Sequence, residues 1–243
     1  MKKRGQVTIF IIVAIILVSI GILFFVFKDN LNVGENSLEI EPIQNQVQYC
    51  LDRTSEEGIN YVALHGGYYN IPKEIKMSYI TYEAPYYYIN SVVNIPSIVR
   101  IENEIENYII DNLKYCINYS LFEEQGFVIN EGNLSASVYI REDKINVKIT
   151  YPLSIKKGEA TSRLSDFKVE IVSNINKLHI ASGEIVNSYK ENPGFVCLNC
   201  LEEVSNKYNV EAKATPLPDE KVIWFSILDS ESELNWKFAV ENE

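Results

Sequence analysis

The most reactive side chains in the sequence are four cysteines, Cys50, Cys116, Cys197 and Cys200, and two histidines, His65 and His179. Cys197-Leu198-Asn199-Cys200 forms a CxxC pair. Where such a pair opens a helix, the helix N-terminus favours the thiolate, and the chemistry on offer is thiol–disulfide exchange. Glu202 and Glu203 follow immediately and their charges oppose a thiolate, and no alternating βαβ frame surrounds the pair. The plainer chemistry is cross-linking. Four cysteines allow three pairings, and the expected set is Cys50–Cys116 with Cys197–Cys200, because Cys50 and Cys116 each fall on the apolar side of a predicted helix. Closing the long loop between Cys50 and Cys116 stabilises by about 3–4 kcal/mol in the chain-entropy model. A zinc site would need two further ligands beside Cys197 and Cys200, and neither His65 nor His179 has ligand spacing, so no metal and no cofactor is expected. His179-Ile180-Ala181-Ser182 sets a base near a hydroxyl, but no nucleophile elbow, phosphate-binding loop or dinucleotide fingerprint accompanies it.

A second group of residues offers contact rather than reaction. Tyr68 and Tyr69 are followed by Tyr79, Tyr82, and the run Pro85-Tyr86-Tyr87-Tyr88. Tyrosine combines a broad apolar ring with a polar tip, which suits protein or glycan contacts. Strand alternation along 86–88 would leave at least one of those rings outward. Tyr68, Tyr69, Tyr82, Tyr86, Tyr87 and Tyr88 are therefore the candidate contact surface. Asn118-Tyr119-Ser120 and Asn133-Leu134-Ser135 are glycosylation sequons, with Asn118 and Asn133 as acceptors.

The elements that would position these residues follow from periodicity. Ile43, Val47, Leu51, Ile59, Val62 and Ala63 mark a helix over 41–64 that ends at Gly66-Gly67. Ser97 caps a second helix with Ile98, Ile101, Ile105, Ile109, Leu113 and Cys116 on one face, leaving Glu102, Glu104 and Glu106 for its solvated side. The intervening stretch 68–94 reads as aromatic and irregular. Beyond Gly126 the period becomes two: Leu134, Ala136, Val138 and Ile140, then Ile145, Val147, Ile149 and Tyr151, alternate with polar partners around Glu142-Asp143-Lys144, which predicts a hairpin. A strand at 167–171, a helix ending at Pro193-Gly194, a short helix from Cys197 to Tyr208, and strands near 210–214, 222–228 and 236–240 complete the pattern. Helices and antiparallel hairpins mix without βαβ alternation, so the expected class is α+β with a mainly antiparallel sheet and several packed helices.

Charge divides the chain. Residues 1–27 carry Lys2, Lys3 and Arg4 and no acid, so residues 28–243 hold all 33 acidic side chains against 19 basic ones, or −14, within a total of −11. That acidity excludes an ordinary nucleic-acid binder. Val7 to Phe27 is a run of 21 uncharged residues, about 31 Å as a helix, which matches the hydrocarbon thickness of a bilayer. The bulky residues Phe24 to Phe27 at its end do not suit a cleaved secretory signal. The expectation is a cytoplasmic tail over 1–6, a single transmembrane helix over 7–27, a linker over 28–39 and an exported domain over 40–243, with the N-terminus inside by the positive-inside rule. The partners so implied are the lipid bilayer, through 7–27, and a protein at the cell surface or in the membrane.

The start Lys2-Lys3-Arg4-Gly5-Gln6-Val7-Thr8 resembles the class III signal of archaeal type IV pilin-like proteins. The resemblance implies cleavage between Gly5 and Gln6 with retention of the apolar span. It departs from that pattern at Phe10, where such subunits carry Glu, and at the polar linker, where their helix often continues. The whole chain also resembles uncharacterised archaeal single-span surface proteins, a likeness that implies no activity. The functional expectation is a membrane-anchored extracytoplasmic interaction or assembly module without catalysis, for which the resemblance implies a pilin-like role. The alternative is a tethered thiol oxidoreductase using Cys197 and Cys200. A ligand sensor is disfavoured, because a tail of six residues carries no output module.

Overall fold

The computed structural model describes residues 17–19, 38–80, 82–218 and 221–242. The chain divides into two units, Met1–Glu39 and Ile40–Glu243. Within the first, Leu17–Ser19 form a helical turn with Leu17 and Val18 exposed. The expectation of a membrane-spanning helix over 7–27 is corrected. Among the described residues no helix is long and apolar enough to cross a membrane. The rest of the expected span, the pair Gly5–Gln6 and most of the linker over 28–39 lie outside the described residues. The described residues form an α+β fold with mainly antiparallel pairing and no spanning helix.

The second unit opens with α1 (Glu41–Leu64), whose buried stripe runs Ile43, Val47, Cys50, Leu51, Thr54, Ile59, Val62, a helical period of apolar positions. It ends at two glycines with positive φ, where the Gly67 N–H donates to the Val62 carbonyl at 2.8 Å. A Cβ at Gly66 would stand 2.5 Å from the Lys237 carbonyl and 2.7 Å from Pro85, so glycine is required where the helix end meets the sheet. The second helix, α2 (Ile98–Cys116), is capped by Ser97, whose hydroxyl accepts from the Arg100 N–H at 3.2 Å. A short α3 (Ser120–Glu124), α4 (Ile175–Glu191) and α5 (Leu198–Tyr208) follow.

Two sheets carry these helices. The six-stranded sheet runs β1 (Lys76–Tyr79), β2 (Tyr82–Ile89), β10 (Asn235–Glu241), β9 (Val222–Leu228), β8 (Glu211–Pro216), with β3 (Val92–Val93) beside β2. The four-stranded sheet lays β4 (Val128–Glu131) and β5 (Ser135–Ile140) along one edge of the long β6 (Lys144–Lys157), and β7 (Ala160–Val172) along the other. The predicted hairpin is β5–β6. All pairs are antiparallel except β10 with β2, which joins segments some 150 residues apart in sequence and is accompanied by a hydrogen bond from Trp236 Nε1–H to Tyr87 Oη. Helix α1 packs against both β7 and β10.

The aromatic segment is therefore a strand, not an irregular stretch. Between the register pairs Ala239↔Tyr86 and Val240↔Tyr88, β2 advances two residues while β10 advances one. Such a bulge places successive side chains on one face, and Tyr87 and Tyr88 are both buried. Tyr87 stacks on Phe238 at 4.6 Å, Phe238 stacks on Phe225 at 5.1 Å, and Tyr88 meets Tyr189 of α4 edge-on. The Tyr87 hydroxyl donates to the Gly66 carbonyl at 2.8 Å and accepts from Trp236 Nε1 at 3.1 Å. Burial pushes its phenol well above the ordinary value, so it stays a neutral donor.

The glutamates expected on the solvated side of α2 are instead structural. Glu102 accepts from the Ile140 N–H and Glu106 from the Val138 N–H, both at 2.8 Å. A helix rises about 6.0 Å over four residues and a strand about 6.8 Å over two, so an i, i+4 pair of carboxylates matches alternate N–H groups on the free edge of β5. Glu104 is buried, accepts from the Tyr69 and Asn70 N–H groups at 2.9 and 3.0 Å, and pairs with Arg100 at 2.6 Å.

Candidate functional site

Both cysteine pairs are bonded, Cys50 to Cys116 and Cys197 to Cys200. The first joins α1 to α2 across a Cα separation of 5.6 Å and has a buried half at Cys50. The second lies at the start of α5: Cys197 is the cap residue and its sulfur accepts from the Cys200 N–H at 3.2 Å. Phe195 and Leu198 beside it are exposed, and Ile185, Tyr189, Leu201 and Phe225 line the surface dent next to the sulfurs. An apolar rim beside a half-buried disulfide supports anchoring of α5 on α4. His179 sits in α4, where its Nε2 bonds the Pro96 carbonyl at 2.8 Å and its ring meets Trp236 edge-on. Burial lowers its pKa, against the opposing pull of the Pro96 carbonyl. The Ser182 hydroxyl donates to the His179 carbonyl rather than to the ring, so the two do not form a nucleophile–base pair. His65 caps α1, with Nδ1 2.8 Å from the Tyr61 carbonyl. Among the described residues no three His, Cys, Asp or Glu side chains gather as a metal cluster.

The six candidate tyrosines separate. Tyr68, Tyr87 and Tyr88 are buried. Tyr69 is half-buried and packs with Tyr61 and Tyr108 at 5.7 and 5.2 Å, a cluster that sits over the α1–α2 contact. Tyr82 and Tyr86 alone among the six face outward from the six-stranded sheet, the former exposed and the latter half-buried. There they join Tyr79, which belongs to the same aromatic stretch but not to the six candidates, and Trp224, which the sequence did not single out for contact. Tyr82 and Trp224 meet edge-on at 6.0 Å, and the Lys237 ammonium lies 5.9 Å from the Tyr82 ring centre. Beneath them is a floor of small or slender side chains, Ala84, Ala239, Met77 and Val222, all buried. Tyr79, Tyr82 and Trp224, with Thr215, Leu217 and Lys237, line an open trough of about 300 Å³.

The turn that carries Tyr79 and Tyr82 is strained. Ile80 has φ 56° and is 84% exposed. The left-handed region costs a β-branched residue about 1–2 kcal/mol, and exposure recovers none of it. Tyr79 pairs directly with Tyr82 across this two-residue connection, and such hairpin turns take positive φ at central positions, so the β1–β2 hairpin itself accounts for the conformation. Sequence reasoning missed Trp224 because Val222-Ile223-Trp224-Phe225 reads as apolar on both faces. The register Trp224↔Ala239 and Ala239↔Tyr86 is what turns it outward.

The two sequon asparagines, Asn118 and Asn133, are exposed, on the loop before α3 and between β4 and β5. No protein-family model, no curated protein and no solved structure matches this chain.

Proposed function

We propose that this domain is a contact module of an oxidising, extracytoplasmic compartment, and that it engages its partner through the aromatic outer face of the six-stranded sheet. The observation that carries the reading is the trough built from Tyr79, Tyr82, Trp224 and Leu217, held beside the β1–β2 turn and open to solvent. Aromatic rings with polar tips dominate recognition surfaces because they contribute large apolar area at low entropic cost. The compartment is supported by the two bridges and by the absence of free cysteines among the described residues. Catalysis has no support at the trough, whose lining among the described residues offers Lys237, Thr215 and two phenols but no carboxylate and no histidine. Thiol exchange at Cys197–Cys200 has the pair itself, with no cation among the residues that line the adjoining dent to stabilise a thiolate.

A photocrosslinking residue at position 82, compared with one at position 139 on the outer face of the four-stranded sheet, tests the reading in intact cells. Adducts from position 82 alone support it. Equal labelling from both positions, or none from 82, overturns it. Alkylation before and after reduction addresses the competing chemistry: a Cys197–Cys200 pair that stays oxidised in cells removes thiol exchange.

A further inference from the structure

The geometry points to a second binding site, on the outer face of the four-stranded sheet, whose ligand is an acidic polysaccharide. The charge that carries it is local to that face. Of the side chains that β4–β7 turn away from the helices, five are cationic, Lys144, Lys148, Lys156, Arg163 and Lys168. Two are acidic, Asp166 and Glu170. The face is thus net positive on a chain whose total is −11. Both acids are engaged: Glu170 pairs with Lys144 at 3.0 Å, and Asp166 accepts from the Thr150 hydroxyl at 3.3 Å. Among the described residues no carboxylate is ion-paired with Lys148, Lys156, Arg163 or Lys168, whereas Lys76, Lys114, Lys177, Lys207 and Lys213 each have such a partner.

Lys148 and Lys168 stand directly opposite each other in the register. Like charges so placed weaken a sheet, so the fold gains nothing from the pair, and an anion lying between them offsets the repulsion. From this row the free cations continue past Thr150 to Arg163, opposite Ser154, and to Lys156. Along β6 the distance from Lys148 to Lys156 is about 26 Å, which suits an extended polyanion rather than one small anion. The Lys148–Lys168 row crosses the polar hollow of about 440 Å³, to which Ser135, Ser137 and Thr150 add hydroxyls, a size that admits a sugar unit. The stripe runs away from Tyr139, which borders the other end of the hollow opposite Asn146 and stays uncovered.

Other polyanions fit this face less well. The centre of a protein interface is rich in aromatic residues and poor in lysine, the reverse of this stripe. Nucleic-acid single strands need rings on which bases stack, and here the cations alternate with Thr150 and Ser154. Between Lys148 and Lys156 the outward residues of β6 are Thr150, Pro152 and Ser154, which give a bilayer no apolar anchor.

The test is calorimetric titration of the full chain with octagalacturonate and with a heparin octasaccharide. Maltooctaose is the neutral comparison and phosphatidylglycerol vesicles are the membrane comparison. The expected result is binding of at least one acidic octasaccharide in about 20 mM salt, weakened about tenfold in about 300 mM salt. Lys168→Glu replaces the like-charge pair by a cross-strand ion pair, so it is expected to weaken binding about tenfold while the thermal midpoint stays level or rises. Lys73→Glu changes the net charge equally but lies in the turn before β1, and should leave binding as it was. Failure of both acidic octasaccharides to bind, equal binding of maltooctaose, or binding that Lys168→Glu leaves unchanged overturns the site. So does an equal loss from Lys73→Glu, which would make the attraction nonspecific, and so does binding to the vesicles alone, which would make the face a membrane surface.

Discussion

The two sheets present opposite faces to solvent. On the four-stranded sheet the outward residues of β5, β6 and β7 are Ser135, Ser137, Tyr139, Lys148, Thr150, Asp166 and Lys168, which line a wide, open, polar hollow. On the six-stranded sheet they are Tyr79, Tyr82, Tyr86 and Trp224. The edges differ too. The free edge of β5 is closed by Glu102 and Glu106 of α2, and Gln48 of α1 donates to the Lys168 carbonyl of β7 at 3.0 Å. A sheet with satisfied edges and a polar face is insulated from other chains. At these points the four-stranded sheet is closed to other chains, and the larger sheet keeps the exposed aromatic surface that the proposed contact needs.

The strongest way to break that contrast is to open the scaffold edge. Glu102→Ala with Glu106→Ala strips the acceptors from the Ile140 and Val138 N–H groups and is expected to cost about 3 kcal/mol together. A lower urea midpoint, with faster amide exchange at Val138 and Ile140 than at Phe225, checks it. Contact at Tyr82 should survive wherever the protein is folded. Unchanged stability would mean that the carboxylates do not close the edge.

A somewhat smaller effect separates the sheets by pH. Asp229, at the end of β9, is fully buried. Burial alone would raise its carboxyl, but hydrogen bonds from Lys177, Ser232 and Asn174 and the Lys177 charge together hold it at about 2. A carboxyl lowered from an ordinary value near 4 stabilises the fold fully above about pH 4, and that contribution, about 2 kcal/mol, is lost as pH falls toward 2. Asp229→Asn should flatten this part of the acid-unfolding curve. An unchanged slope between pH 4 and pH 2 would show that Asp229 does not anchor α4 to the β9–β10 turn.

The smallest effect sharpens the comparison at the strained turn. Asn occupies the left-handed region at lower cost than a β-branched residue, so Ile80→Asn should raise stability by about 1 kcal/mol, read as a higher thermal midpoint. A destabilised variant would show that the Ile80 side chain contributes more than its exposure implies.

Much of the scaffold was legible in the sequence, and most of the contact surface was not. The apolar stripe of α1, the Ser97 cap, the β5–β6 hairpin and both cysteine pairs followed from spacing, because each depends on residues near one another or on a simple period. The strand β2 was hidden by Pro85 and by the bulge that sets Tyr87 and Tyr88 on one face, which breaks the alternation a strand is recognised by. The roles of Glu102 and Glu106 were hidden because the N–H donors they accept from lie on a strand more than thirty residues away. The trough was split between Tyr79–Tyr82 and Thr215–Lys237, and only the parallel pairing of β2 with β10 brings those halves together. Of the six tyrosines proposed for contact, the buried ones serve the core, which tyrosine composition alone does not distinguish.

The most direct measurement of the central claim is hydroxyl-radical footprinting of the protein in its native envelope against the purified chain. The account predicts that oxidation of Tyr79, Tyr82 and Trp224 falls several-fold in the envelope while that of Tyr139 and Tyr115, both exposed, stays the same. Equal oxidation of Tyr82 and Trp224 in the two preparations, or protection at Tyr139 instead, would contradict it.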